Sequence, residues 1–262
     1  MVGLVTHEGS RFRSQGMATL ESVSAAAKAA GIDVRVLVSD RNDADPDQHS
    51  VTRGTVVSSA RHQAALEARW RAHVAGRGIS AVPSPLTLGI QARRSFDSVA
   101  SAFRLLNIDY SHLRLWRHAL ATGASTALII EDDAQLVEKH VGEFLSVLLP
   151  HVKNQSVLVN FSRSIAEGDL GITEILREAT TKFQFREVRV TQTDQAITNT
   201  VCANLYSRDF LAGLVAFIDR RGLVPVVPID WRVNEFLLHH PEMKTWWADP
   251  APFVQGSMHE IN

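Results

Sequence analysis

One stretch constrains the fold more than any other: Thr126-Ala127-Leu128-Ile129-Ile130, followed at once by Glu131-Asp132-Asp133-Ala134. A short, uncharged, β-branched run of this kind is the pattern of a strand covered on both faces, as in a parallel sheet. Open α/β sheets place their ligands at the C-terminal ends of such strands, and here three carboxylates stand at that end. The two-residue period of an extended chain predicts Glu131 and Asp133 on one side and Asp132 on the other. Two hard oxygen ligands on one side suit Mg²⁺ or Mn²⁺ holding a diphosphate. The same letters also suit a charged strand end leading into a helix N-terminus, where Asp is favoured. The triplet alone leaves both open.

The rest of the chain alternates strand and helix patterns. Val2–Val5 reads as a first strand, Thr6 to Arg13 as a polar turn, Ser14–Ala30 as a helix stopped by Gly31, and Val34–Val38 as a second strand. The turn holds one glycine and carries neither a dinucleotide fingerprint nor a P-loop; its hydroxyls and Arg11 or Arg13 could meet a nucleotide or a diphosphate. Asp40–Arg53 and Gly76–Gly89 are loop-like, Ala60–Ala75 is helical, and two further helices are expected over Phe96–Leu106 and Asp109–Ala121. After the triplet come a helix over Lys139–Leu149 closed by Pro150, a strand over Ser156–Phe161, a loop over Arg163–Gly171 and a helix over Ile172–Thr181. Strands follow at Phe185–Val190 and Thr200–Tyr206, then a helix over Arg208–Arg221. Val224–Ile229 is interrupted by Pro225 and Pro228, which excludes a central strand, and a helix opens at Asp230 and runs to His239. Trp246 to Ile261 forms an aromatic, proline-rich tail. This alternation predicts one three-layer α/β domain.

Charge and cysteine usage narrow the function. A net charge of -1 argues against nucleic-acid binding driven by bulk charge. Cys202 is the only cysteine, which excludes an internal disulfide framework and a thiolate metal cluster. No stretch resembles a transmembrane span or a leader, so a cytoplasmic protein is expected, with peripheral membrane attachment left open.

Tyr110-Ser111-His112-Leu113-Arg114-Leu115-Trp116, a helical spacer, then Leu128 to Ala134 resembles the central motif of the family 25 glycosyltransferases, which include lipooligosaccharide and collagen galactosyltransferases. Weaker similarities follow in order: Val157–Phe161, Ala203 to Arg208, Pro228-Ile229-Asp230 and Gln255-Gly256-Ser257. Together they span roughly the C-terminal two-thirds. The sequence departs from the family before Ser111, where Asn107-Ile108-Asp109-Tyr110 replaces a small cysteine-containing stretch.

The resemblance implies a GT-A-like domain over residues 1–262 with a mixed central sheet, residues 1–133 forming mainly the nucleotide-sugar-binding half and 134–262 mainly the acceptor half. It implies transfer of a hexose, galactose or glucose, from a nucleoside-diphosphate sugar such as UDP-galactose or UDP-glucose, with inversion, to an acceptor hydroxyl on a glycan, lipid-linked sugar or protein. Mn²⁺ or Mg²⁺ would neutralise the leaving diphosphate. On this reading Asp133 ligates the metal, with Glu131 and Asp132 shared between metal, ribose and sugar, and His259 near the tail as a further ligand. Thr6, Glu8 and Arg11 in the first turn and His112 in the Ser-His pair are the expected donor-site residues, and Asp230 the expected base, with Asp194 and Glu235 as lesser candidates. Each of these has an ordinary structural explanation as well: Asp230 as a helix cap, His112 as a hydrogen-bonded core histidine, Trp246 and Trp247 as packing rather than a sugar platform. A nucleotide-sugar-binding module without turnover, and another metal-dependent nucleotide-processing enzyme such as a nucleotidyltransferase, are the alternatives.

Overall fold

The computed structural model describes residues 1–40, 53–76, 99–163, 176–177, 179–193, 201–224 and 227–256. Its centre is an eight-stranded mixed sheet in the order β2-β1-β3-β9-β5-β10-β8-β7. These strands are β1 (Val2–Thr6), β2 (Val36–Asp40), β3 (Thr126–Glu131), β5 (Val157–Asn160), β7 (Thr180–Phe185), β8 (Val188–Thr193), β9 (Ala203–Ser207) and β10 (Lys244–Asp249). A second, three-stranded sheet joins β4 (Ala134–Leu136), β11 (Phe253–Gln255) and β6 (Ser162–Arg163) in the order β4-β11-β6. The helices among the described residues are α1 (Arg13–Ala29), α2 (Arg53–Ala75), α3 (Val99–Ala121), α4 (Val141–Val152), α5 (Arg208–Arg221) and α6 (Ile229–His239). None of them is long and apolar enough to cross a membrane.

The apolar run of β3 is buried on both faces, as its pattern predicts. Ala127 and Ile129 join a core with Leu113 and Trp116 of α3, Phe210 and Leu214 of α5 and Phe236 of α6. Leu128 and Ile130 join the opposite core with Leu20 and Val23 of α1 and Phe144 and Leu148 of α4. Helices therefore cover both faces, and the expected three-layer α/β arrangement is present. β1 and β3 run parallel, Leu4 opposite Ile130 and Val5 opposite Glu131, so both strands deliver their C-terminal ends to the same edge. β9 runs antiparallel to both β3 and β5, which makes the sheet mixed.

Several elements differ from their sequence pattern. The two helices expected over Phe96–Leu106 and Asp109–Ala121 are one helix, α3. Asn107, Asp109 and Ser111 suggest a break, but Ser111 Oγ donates back to the Asn107 carbonyl at 2.9 Å, which lets a polar residue remain in a helix. Pro150 lies inside α4 instead of closing it, because in the last turn its missing N–H forfeits one hydrogen bond while the fully buried Val152 holds the chain in place. The strand expected at Phe185–Val190 is a hairpin, with Phe185 opposite Val188 and Arg186 at φ 51° in the turn. Thr180 and Thr181 belong to its first strand, not to a helix, and 172–175 lie outside the described residues. The tail contributes β10, which pairs with β5 and β8; Trp246 and Trp247 point into opposite cores. They are packing residues, as one of the two readings of the pair had it, and no sugar platform.

Gly142 allows α4 to cross α1 backbone to backbone: a Cβ there would lie 2.2 Å from the Ala26 carbonyl oxygen. Gly142→Ala gains at most about 1 kcal/mol of helix propensity against an overpacking cost of up to about 3 kcal/mol, so a net loss of about 2 kcal/mol is expected. Urea unfolding monitored by circular dichroism measures it; an unchanged or raised midpoint would show that the helices separate freely.

Candidate active site

The edge where β1 and β3 end is a cleft of about 720 Å³ lined by His7, Gly9, Ser10, Arg11 and Phe12 from the β1–α1 turn and by Glu131, Asp132 and Asp133, with Val5 and Ile108 behind them. The turn is folded by its own backbone: the Ser10 N–H donates to the His7 carbonyl at 3.0 Å and the Arg13 N–H to the Ser10 carbonyl at 3.2 Å. Arg11 lies over the Phe12 ring, 4.6 Å from its centroid, and lines the cleft. Arg13 is instead paired with Asp40 at the end of β2, at 3.1 Å. Of the two arginines the sequence offers, Arg11 is the one placed to meet an anion in the cleft. Glu8 is exposed and is not among the lining residues.

The three carboxylates do not alternate as an extended chain would place them. β3 ends at Glu131, and Asp132 and Asp133 form a turn into β4, so each acid meets a different neighbour. Glu131 Oε1 lies 3.0 Å from His112 Nε2 on α3. Asp132 Oδ2 accepts from the wholly buried Thr6 hydroxyl at 2.8 Å. The Cys202 thiol donates to Asp133 Oδ1 at 3.7 Å, and burial together with the charges of Asp133 and Glu131 pushes that thiol well above its ordinary value. Thr6 is thus a support for the acidic turn and makes no contact with the cleft itself. Gly16 is equally specific: a Cβ would come 2.7 Å from the Asp132 Cα, so α1 starts directly against the turn.

The C-terminal segment closes on the same turn. Gln255 pairs with Ala134, and the Gly256 N–H donates to the Asp133 carbonyl at 2.7 Å. His259, expected as a metal ligand, and Asp194 lie outside the described residues. His112 is fully buried, and its second ring nitrogen, Nδ1, has no hydrogen-bond partner among the described residues. With Nε2 as the donor to Glu131, the tautomer follows from that one bond.

On the α3 side of Glu131, Asp230 occupies the second position of α6, after Pro228 as N-cap and Ile229 as first residue. It is not the cap itself, yet its Oδ1 accepts the Trp231 N–H at 2.9 Å, so it serves the helix start as well. Burial is the main force raising its carboxyl to about 7; the Trp231 N–H opposes it and the charge of Glu131 adds to it. Asp109 is a residue the sequence reading passed over. It is buried on α3, and burial and then the charge of Asp230 hold its carboxyl well above the usual range, against a smaller opposing influence of the Ile229 backbone. Its signal in the sequence is an acid three residues before His112, on the same helix face. Glu235 does not share this site: Arg232, Arg221 at 3.1 Å and His62 at 3.4 Å surround it, which leaves it a structural ion-pair residue.

Among the described residues no three His, Cys, Asp or Glu side chains form a ready-made metal cage. The donor set still fits Mg²⁺ or Mn²⁺ in kind, because both are commonly bound through one or two carboxylates with substrate phosphates completing the shell. A second cavity, about 560 Å³, opens at the other end of β1 and β3. Its Arg35 and the Met1 amine donate to the carbonyls of Thr122 and Thr126, and Asp33 is the one carboxylate among its lining residues, against three at the acidic cleft. No protein-family model and no curated protein matches the chain.

Thr6→Val keeps the side-chain volume and removes the donor that Asp132 Oδ2 has among the described residues. A hydrogen bond to a buried charge of this kind is worth about 2 kcal/mol, so the urea midpoint should fall accordingly with an unchanged slope. An unaltered midpoint would show that Asp132 does not depend on Thr6.

Proposed function

We propose that the protein is a metal-dependent glycosyltransferase of GT-A type, similar to family 25, which moves a hexose from a nucleoside-diphosphate sugar to an acceptor hydroxyl. The observation that carries this reading is the meeting of the β1–α1 turn and the Glu131-Asp132-Asp133 turn in one cleft, with Asp230 close enough to feel the charge of Glu131. The mixed central sheet flanked by two helical layers is the kind of architecture the family resemblance implies.

In this reading the nucleoside diphosphate lies along the cleft, with Arg11 and the turn's N–H and hydroxyl groups against its phosphates. Asp133 and Glu131 would hold a Mn²⁺ or Mg²⁺ ion, which would supply Lewis-acid neutralisation of the charge on the departing diphosphate. Asp132, steadied by Thr6, meets sugar or ribose hydroxyls. Asp230 takes the proton of the acceptor hydroxyl as the acceptor oxygen bonds to C1 and the C1–O bond to the diphosphate breaks. A base titrating near 7 is matched to this task at neutral pH.

Purified protein with Mn²⁺ should release UDP from UDP-galactose or UDP-glucose, and Asp133→Ala should lower that turnover at least about a hundredfold. Pyrophosphate as the product would indicate a nucleotidyltransferase, and UDP binding with no turnover toward any acceptor would indicate a binding module. Because a protonated carboxyl cannot accept the proton, the wild-type rate should fall about tenfold per pH unit below about 7. Asp230→Asn should be slow at every pH. A pH-independent rate would remove Asp230 from the role of base.

A further inference from the structure

Each of the three acids at the end of β3 has one oxygen engaged by a donor that is itself wholly buried. Glu131 Oε1 takes the His112 Nε2–H at 3.0 Å, Asp132 Oδ2 the Thr6 hydroxyl at 2.8 Å, and Asp133 Oδ1 the Cys202 thiol at 3.7 Å. The donors stand on α3, on β1 and just before β9, so three separate elements reach the acids, each by a single bond to a single oxygen.

The bond from His112 is the most firmly built of the three. Its ring packs against Trp116, with centroids 5.7 Å apart, and Trp116 in turn meets the Tyr206 ring edge-on at 5.6 Å. Nδ1 has no partner among the described residues, so Glu131 is the one polar contact of the ring there. The Glu131 backbone is fixed as well: its N–H donates to the Cys202 carbonyl at 2.8 Å, and Val5 lies opposite it in the sheet. Yet the Glu131 side chain is 21% exposed and lines the acidic cleft. The bond to His112 is the one hydrogen bond of its carboxylate among the described residues, which leaves Oε2 for the cleft.

A carboxylate with both oxygens free can grip a cation with the pair; one whose first oxygen holds a charge-assisted hydrogen bond offers only the second. That difference separates cations. Ca²⁺ gathers about six to eight oxygens and readily takes both oxygens of one carboxylate, whereas Mg²⁺ and Mn²⁺ keep an octahedral shell completed by water and phosphate. We propose that His112 is a positioning residue that determines metal specificity: by holding Glu131 Oε1 it leaves the cleft one oxygen of this side chain, and so favours Mn²⁺ or Mg²⁺ over Ca²⁺ beside the diphosphate. The proposal rests on the metal-dependent reading of the site and deepens it. His112, expected from the sequence to meet the donor, instead acts through Glu131.

The test compares His112→Phe, which keeps a ring against Trp116 and cannot donate, with His112→Gln, whose amide N–H reaches about as far as Nε2. His112→Leu replaces the phenylalanine variant if that one does not fold. Mn²⁺ binding in the presence of UDP is read from the loss of the free-ion electron paramagnetic resonance signal, and Ca²⁺ binding from its competition with Mn²⁺; neither needs turnover. The preference for Mn²⁺ over Ca²⁺, taken as the ratio of their Kd values, should fall at least about tenfold in His112→Phe and stay within about threefold of wild type in His112→Gln. An unchanged ratio in His112→Phe, including one in which both ions weaken alike, overturns the proposal, and so does an equal fall in both variants. If the wild type takes up no Mn²⁺ beyond what UDP alone binds, or Asp133→Ala takes it up equally well, the metal-dependent reading fails and this proposal with it. Mn²⁺ held by the wild type and lost in Asp133→Ala, with the ratio unaltered in His112→Phe, sinks the specificity proposal alone.

Discussion

Val5 stands opposite Glu131 because β1 and β3 run parallel in the middle of the sheet, and from that register the turn after each strand emerges at the same edge. The β1–α1 turn brings Arg11, Ser10 and His7. The β3–β4 turn brings three carboxylates. Neither turn makes a site alone: the first is a polar loop, the second a cluster of acids that repel one another. The strength of the pairing comes from burial of β3 on both faces, since a strand covered by α3, α5 and α6 on one side and α1 and α4 on the other has a single register that keeps both cores filled.

Five acids then crowd the end of one strand, and their repulsion and desolvation must be offset locally. A buried charge left without a partner costs several kcal/mol, more than a single packing contact returns. The fold meets this in different ways for different residues. Glu131 is held by His112, Asp132 by Thr6, and Asp133 by the thiol of Cys202. Asp230 is held by the Trp231 N–H at the start of α6, and the carboxyls of Asp109 and Asp230 are pushed upward toward the neutral form. The result is a gradient across Glu131: acids on the α1 side suited to a cation and phosphates, and on the α3 side a carboxyl that titrates near neutrality. In the proposed reading, metal-assisted departure of a diphosphate on one side and proton removal on the other make use of this gradient.

Much of this was legible in the residues. The apolar run before Glu131, the strand–helix–strand opening and the helix over Arg208–Arg221 follow from periodicity and turn chemistry alone. The Ser-His pair and Pro228-Ile229-Asp230 stand out in the sequence; the structure sets His112 Nε2 3.0 Å from Glu131, and Asp230 lies within range of the Glu131 charge. What could not be read was set by distant pairing. β10 is a core strand only because β5 and β8 accept it, whereas the sequence reads as an aromatic, proline-rich tail whose two tryptophans are packing or a sugar platform. The expected alternation of the acids failed because β3 ends one residue into the triplet, a boundary fixed by Gly16 and by Gly256 at the Asp133 carbonyl. Asp109 could not be read as a buried acid because an acid in a helix is ordinarily solvent-facing, and only the fold brings it beside Asp230 of α6.

The central claim is that the turn at Glu131 to Asp133 holds a divalent ion together with a nucleoside diphosphate. Anomalous diffraction at the manganese edge, from crystals grown with Mn²⁺ and UDP, addresses it directly. One peak in the cleft between the β1–α1 and β3–β4 turns, in contact with Asp133 or Glu131 and with the diphosphate, is the expected result. Manganese elsewhere on the molecule, or UDP bound in the cleft with no ion at these carboxylates, would contradict it.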